Sequence, residues 1–156
     1  MLRSNVMNSE KMTRKSKFIC VEIAIKTDFD SDEFIRFFEE QDNFVQKHPS
    51  ENHKWYIYFD PTPYKDANMT ILKLCEVISN LPTEVRTEWD KAAHREFFAG
   101  YEVGEEPHCF AEHIELKTIQ ACINIGACIG YALYPASATD KDGYPEDLLS
   151  HPKTNS

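Results

Sequence analysis

The 156-residue sequence lacks the motifs that usually mark a membrane protein or a common enzyme. No apolar run approaches the ~20 residues that a transmembrane helix needs. There is no glycine-rich phosphate loop, no G-x-S-x-G nucleophile motif and no interleaving of basic and aromatic residues suited to RNA. The sequence therefore offers no recognisable catalytic set, and it predicts neither membrane insertion nor direct nucleic-acid binding.

Cysteine is present but is not arranged as a disulfide framework. The five cysteines are odd in number, and none forms a C-x-x-C pair. Four of them lie inside apolar patterns, which is typical of reduced, buried thiols. Because disulfides are rare where thiols are kept reduced, this usage predicts a cytoplasmic location.

Basic residues are scarce after residue 17. Residues 1–17 hold five basic residues and one acidic residue, whereas residues 18–156 hold 12 basic and 25 acidic residues. Most of the acidic excess lies in two stretches, 28–42 and 96–115. A surface of this sign repels nucleic-acid phosphates and anionic membranes, and it attracts cationic partners.

Alternating apolar residues predict four strands, at 18–26, 54–59, 95–103 and 127–134. Gly100 predicts a bulge in the third of these strands. In the fourth strand, small residues alternate with larger apolar ones, so we expect its small-residue face to pack closely against a helix.

Helical spacing predicts a first helix that begins at Asp30 or Ser31 and ends before Pro49, after about four turns. Four phenylalanines form an aromatic stripe on this helix, which we expect to lie in the core. They are Phe34, Phe37, Phe38 and Phe44.

Two further helices are predicted with more definite ends. One begins near Asp66 or Asn68 and stops at Leu81, before a proline. The other occupies the residues after Leu116 and ends at Gly126. Residues 83–94 fit either a helix or a strand.

The predicted order is β-α-β-α-(α)-β-α-β, which indicates one α+β layer-sandwich domain with its helices packed on one sheet. We expect this domain to span residues 17–135. A basic, flexible N-terminal tail is predicted at 1–16, and a polar C-terminal tail at 136–156.

Several features of residues 17–135 are similar to the bacterial "domain of unknown function 4279" family. They are an opening strand that runs into an Asp-rich helix start at 28–35, Trp55 at the second strand, and a helix ending near Leu81. The best-matching part is 114–134, a helix followed by Gly126 and a closing strand. The resemblance implies an α+β fold and a bacterial origin. It implies no activity, so it assigns no site residues.

One cluster of side chains has the composition of a metal or thiol site. On a helix, Cys109, Glu112 and His113 would share a face, because residues three and four apart are neighbours there. This pattern is the basis of one alternative function, a metal- or thiol-dependent hydrolase. Its candidate ligands are His108, Cys109, Glu112 and His113.

The charge distribution and the missing catalytic set favour a non-enzymatic protein that binds a basic partner without a cofactor. Bacterial immunity proteins, which neutralise cationic toxins or nucleases, are small, acidic and cytoplasmic in this way. A second alternative is a DNA mimic, whose carboxylates would form a stripe. Tyr101 is predicted to anchor the partner among eight acidic contacts: Asp28, Asp30, Asp32, Glu33, Glu102, Glu105, Glu106 and Glu112.

Overall fold

A computed structural model describes residues 13–136, and within that range the chain forms five strands and four helices. The strands are β1 (Lys17–Thr27), β2 (Gln46–Pro49), β3 (Trp55–Phe59), β4 (His94–Val103) and β5 (Cys128–Pro135). The helices are α1 (Asp32–Glu39), α2 (Ala67–Ser79), α3 (Thr83–Lys91) and α4 (Leu116–Ile125). The predicted α+β class is confirmed, and residues 83–91 are helical.

The strands form one sheet in the order β2-β3-β1-β4-β5. Pairing is antiparallel between β2, β3, β1 and β4, whereas β4 and β5 run parallel because α4 connects them as a crossover. The central strand β1 sets Ile23 opposite Phe59 on one side and opposite Phe97 on the other. The sheet is therefore mixed, with its longest strand at its centre.

The helices pack on one face of this sheet, as predicted. Alternate residues of β1 point to the same face, and Val21, Ile23 and Ile25 are inaccessible to solvent there. They share one core cluster with residues of all four helices. The helical members are Phe34, Phe38, Ile71, Leu74, Cys75, Ile78, Val85, Trp89, Cys122 and Ile125.

The first helix differs from the prediction. It is eight residues long, about two turns, and Phe44 lies beyond it with 81% of its surface exposed. The helix stops because Asp42 adopts a left-handed conformation and the Asn43 side chain donates a hydrogen bond to the Phe38 carbonyl. The chain then turns into β2, a strand that the sequence did not predict. Only Phe34 and Phe38 of the predicted stripe are buried in the core.

Two predictions about β4 and β5 need correction. The irregularity beside Gly100 places the extra residue, Ile19, in β1 rather than in β4. The small-residue face of β5 does not pack against a helix. A Cβ atom on Gly130 would lie 2.6 Å from the Glu96 carboxylate and 2.7 Å from the Phe98 ring, so this glycine makes room for side chains of the neighbouring strand.

Other local predictions are confirmed. Asp66 caps α2 by accepting a hydrogen bond from the Met69 amide at 2.7 Å. Gly126 ends α4 in a left-handed conformation, with φ 68°, which costs least without a side chain.

Backbone pairing begins before the predicted domain boundary at residue 17. The Glu106 amide donates to the Arg14 carbonyl, and the Ser16 amide donates to the Glu106 carbonyl. At the other end, the Ala136 amide donates to Val103 of β4. The rest of the two predicted tails, 1–12 and 137–156, lies outside the described residues.

The cysteines divide by burial. Cys75 of α2 and Cys122 of α4 are buried, with their Sγ atoms 3.6 Å apart. The hydrogen bond with Cys122, followed by burial, raises the pKa of the Cys75 thiol, which suits a packing role. Cys109 and Cys128 are exposed, so the expectation of four buried thiols is wrong for Cys128, which lies on the edge strand.

The same substitution, Phe to Ala, at two positions of the predicted stripe distinguishes its buried part from its exposed part. Phe34 is inaccessible to solvent, and its ring lies 4.9 Å from that of Phe38. We expect Phe34→Ala to lower the free energy of unfolding by about 3–5 kcal/mol. Phe44→Ala, the control, should change it by less than about 0.5 kcal/mol. Urea unfolding followed by circular dichroism measures both, and equal losses would contradict this core.

Candidate functional site

The sheet face opposite the helices carries the candidate site. None of its residues belongs to a core cluster, and we call it the open face. It is built by alternate residues of β1, β3, β4 and β5. Its central members are Cys20, Glu22, Ala24, Tyr56, Tyr58, Asp60, Glu96, Phe98 and Gly130.

Small side chains form the floor of the open face. Ala24 pairs with Tyr58 on β3 and with Glu96 on β4, and these larger neighbours leave it 1% exposed. In the next row Phe98 lies between Glu22 and Gly130. The open face is therefore shallow at Ala24 and Gly130, and the larger aromatic and carboxylate side chains lie beside these two residues.

Three carboxylates lie on this face, and the environment of two of them disfavours the ionised form. Burial raises the pKa of Glu22, and the nearby charges of Asp60 and Glu96 raise it further. Burial also raises the pKa of Asp60. No lysine or arginine among residues 13–136 forms an ion pair with any of the three. Glu22 and Asp60 thus form no ion pair with a lysine or arginine of the described chain, while Glu96 lies 2.8 Å from His94, and Lys26 stands on the same face beside Tyr56 and His94.

Hydrogen-bonding side chains surround the carboxylates. The Tyr56 hydroxyl donates to Glu22 at 3.2 Å, and the His94 ring lies 2.8 Å from Glu96. The rings of Tyr56 and Tyr58 stack with their centroids 5.1 Å apart. Burial, followed by the charges of the adjacent carboxylates, raises the pKa of the Cys20 thiol to about 11. Cys20 is therefore protonated near neutrality and is not an activated nucleophile.

The four acidic residues at 28–33, in the first predicted stretch, lie beside basic side chains. Asp30 lies 3.1 Å from Lys54 and 3.7 Å from Lys47, and it accepts a hydrogen bond from the Trp55 indole. Hydrogen bonds from Lys54 and Trp55 lower the pKa of its carboxyl group. The other members are also paired: Asp28 with His53, Asp32 with Lys47, and Glu33 with Arg36.

The second predicted stretch lies on β4 and in the loop that follows. Glu102 is 3.9 Å from Lys17, and the Glu106 backbone pairs with the segment around Arg14. Glu112 accepts a hydrogen bond from the Tyr101 hydroxyl at 2.8 Å. Glu105 and Glu106 line a shallow concavity with Lys15, Pro107 and His108.

Tyr101 does not have the surface position expected of an aromatic anchor. It is 5% exposed and belongs to a small core cluster with Ala67 and Ala99. Its hydroxyl group is used by Glu112, which fixes the loop after β4 to the sheet.

The predicted contacts in the two acidic stretches include residues near opposite ends of β1. Residue 28 follows the end of β1, whereas Glu102 pairs with Lys17 at the start of β1. Because β1 is 11 residues long, these points lie roughly 30 Å apart at ~3.3 Å per residue. Asp28 and Glu102 alone therefore do not form the continuous stripe that a DNA mimic needs, and this alternative stays a prediction.

The residues of the proposed metal or thiol site do not share a helix face. Residues 107–115 form a loop before α4, so the spacing of Cys109, Glu112 and His113 has no helical meaning. Glu112 bonds to Tyr101 instead. Among residues 13–136, no group of three or more His, Cys, Asp or Glu side chains converges on a point that could hold a metal ion.

No helix within 13–136 combines the length and the apolar character required to cross a bilayer. Comparison with family models, curated proteins and solved structures finds no match, so the family resemblance stays a prediction.

The sequence analysis missed the open face, although part of its signal was present. Alternation already placed Glu22 opposite the apolar face of β1, and Tyr56 with Tyr58 opposite the apolar face of β3. The meeting of Glu22 with Asp60 and Glu96 depends on strand order and register, which the local pattern does not specify.

Glu22 provides a test of this unfavourable carboxylate. Because its pKa in the folded chain lies above the ordinary 4.5, protonation stabilises the fold below that pH, and this contribution is lost as the pH rises through the folded-state pKa. Glu22→Gln should therefore raise the free energy of unfolding at neutral pH relative to the wild type. The difference should close as the pH falls below 4.5.

Urea titrations at several pH values measure the effect of Glu22→Gln. Glu39→Gln, at an exposed position on α1, is the control and should behave like the wild type throughout. Destabilisation by Glu22→Gln at neutral pH would show that the carboxylate is favourable where it lies.

Proposed function

We propose that this chain is a non-enzymatic binding protein whose open face receives a basic protein partner. The proposal includes a role of the immunity type, in which the partner is a cationic toxin or nuclease. The partner is the basic protein that the net charge predicts. Its contact surface is the open face of the sheet and not the predicted contacts of the two acidic stretches.

The observation that carries the proposal is the set of Glu22, Asp60 and Glu96. These carboxylates lie on one face, and no lysine or arginine of residues 13–136 pairs with them. Burial raises the pKa of Glu22 and of Asp60, so ionisation of these two groups in the folded chain costs free energy. An ammonium or guanidinium group from a partner would offset that cost, since an opposite charge nearby favours the ionised form.

The aromatic side chains of the open face suit the same role. Tyr56 and Tyr58 present stacked rings at its centre, and tyrosine is enriched at protein interfaces. Arginine stacks on such rings and pairs with carboxylates. An arginine-rich or lysine-rich surface would thus find both kinds of contact within one patch.

The predicted contacts of the first acidic stretch are less suited to this role. Lys47 and Lys54 already lie beside Asp30, so a partner would have to displace them. Net charge steers association from a distance, while the unpaired carboxylates decide where the partner settles.

Two triple variants with equal net charge test the location. One is Glu22→Gln, Asp60→Asn and Glu96→Gln on the open face. The matched control is Asp28→Asn, Asp30→Asn and Asp32→Asn at the end of β1. Titration calorimetry with an arginine-rich and lysine-rich peptide as probe should show at least about a tenfold loss of affinity for the first triple and a smaller loss for the control.

Salt gives the second part of this test. Raising the ionic strength from about 0.01 M to about 0.1 M shortens the Debye length from ~30 Å to ~10 Å, so wild-type affinity should fall. Equal losses in both triples would indicate attraction by net charge alone and would contradict an open-face site.

The immunity role also predicts that the natural partner is toxic, which the binding function alone does not require. A basic protein retained by the immobilised chain should be toxic when it is expressed alone. Co-expression of the wild-type chain should abolish the toxicity, and the open-face triple variant should not. A retained partner that is harmless on its own would exclude the immunity role and leave the binding function in place.

A further inference from the structure

The two edges of the sheet differ in how they are protected. At one edge, β2 is four residues long and contains Lys47 and Pro49, which are features that discourage a further strand from pairing. At the other edge, β5 is eight residues long. Among residues 13–136 it pairs with β4 alone, so the backbone groups on its outer side face no further strand.

β5 and most of α4 contain no charged residue of their own. Residues 118–135, which cover most of α4 and all of β5, contain no Asp, Glu, Lys, Arg or His. An exposed, uncharged edge strand is a template for pairing with another chain. Residues 18–156 carry 25 acidic and 12 basic residues. The uncharged stretch 118–135 therefore differs from the rest of the sequence.

An apolar strip accompanies the free edge. Tyr131 and Leu133 of β5 are 61% and 67% exposed. On α4 the buried side chains are Thr118, Cys122 and Ile125, and the opposite face exposes Leu116, Ile119 and Ile123, which are spaced by three and four residues. These five exposed residues of α4 and β5 are called the apolar strip.

The two parts of the apolar strip lie on neighbouring elements, because α4 and β5 are joined by two residues, 126 and 127, and contact each other. The short connection reverses the chain, so Leu116 lies at the same end as Leu133. The five residues are between 39% and 84% exposed, and their burial would contribute to the ~800 Å² that each partner supplies to an interface of standard size.

We infer that β5 pairs antiparallel with β5 of a second copy of this chain, with the apolar strips packed against each other. Antiparallel pairing of identical strands follows from a twofold axis, so one surface serves both copies. Two copies this acidic repel each other over most of their surface, and the neutral edge is where they can approach with the fewest like charges. This inference is independent of the proposed partner on the open face.

Sedimentation equilibrium of the full chain from about 1 to about 100 µM tests the inference by mass action. We expect the mass to approach twice the 18.1 kDa of one chain. Leu133→Lys and Ile123→Glu, on the strand and the helix of the strip, should each raise the dissociation constant about tenfold or more. Phe44→Glu, at an apolar residue that is 81% exposed in the loop after α1, should leave it unchanged.

Hydrogen exchange identifies the pairing itself. Amides of β5 should become more protected as the concentration rises, and Leu133→Lys should abolish that dependence. A wild-type monomer at about 100 µM would overturn the inference, as would a dimer that neither strip variant weakens. Protection of β5 that is already complete in the monomer would indicate that residues 137–156 cover the edge, and would also overturn it.

Discussion

The position of the Trp89 indole ring is the constraint on which most of the fold depends. The ring stacks with Phe34 of α1 at 6.1 Å and with Phe97 of β4 at 6.2 Å. Its N–H group donates to the Ile125 carbonyl at 2.8 Å, near the end of α4. One side chain thus ties three helices to the central sheet, and it satisfies its own polar group within the core. These contacts require α1, α3 and α4 to lie on the same side of the sheet.

The hydrophobic core lies on one side of the sheet, so the side chains on the other side need not contribute to it. The helix-facing residues of β1 are inaccessible to solvent, and they supply the hydrophobic stabilisation that the fold requires. The open face can then hold groups that do not help folding. Glu22 and Asp60, whose pKa values burial raises, are such groups. Side chains that oppose stability are typical of binding surfaces, where function and stability compete.

Local patterns predicted the parts of the fold that local physics decides. The alternation in β1 and the stop at Gly126 follow from side-chain period and backbone conformation within a few residues. The short β2 has no such signal, because Gln46–Pro49 becomes a strand by pairing with β3. The candidate site was hidden for the same reason. Glu22, Asp60 and Glu96 are distant in sequence, whereas the conspicuous acidic run at 28–33 folds beside its own counter-ions.

The free edge and the open face are connected through β5. Gly130 of this strand provides the space in which Glu96 and Phe98 lie, so the strand that ends the sheet also forms part of the open face. A twofold axis that pairs two copies of β5 antiparallel lies perpendicular to the sheet. It would therefore place both open faces on the same side of one wider sheet. If the open face binds an extended basic partner as proposed, two sites held in this way would act together, because the second contact would form at a high effective concentration. Self-association would then increase the avidity of the open face without any new contact to the partner.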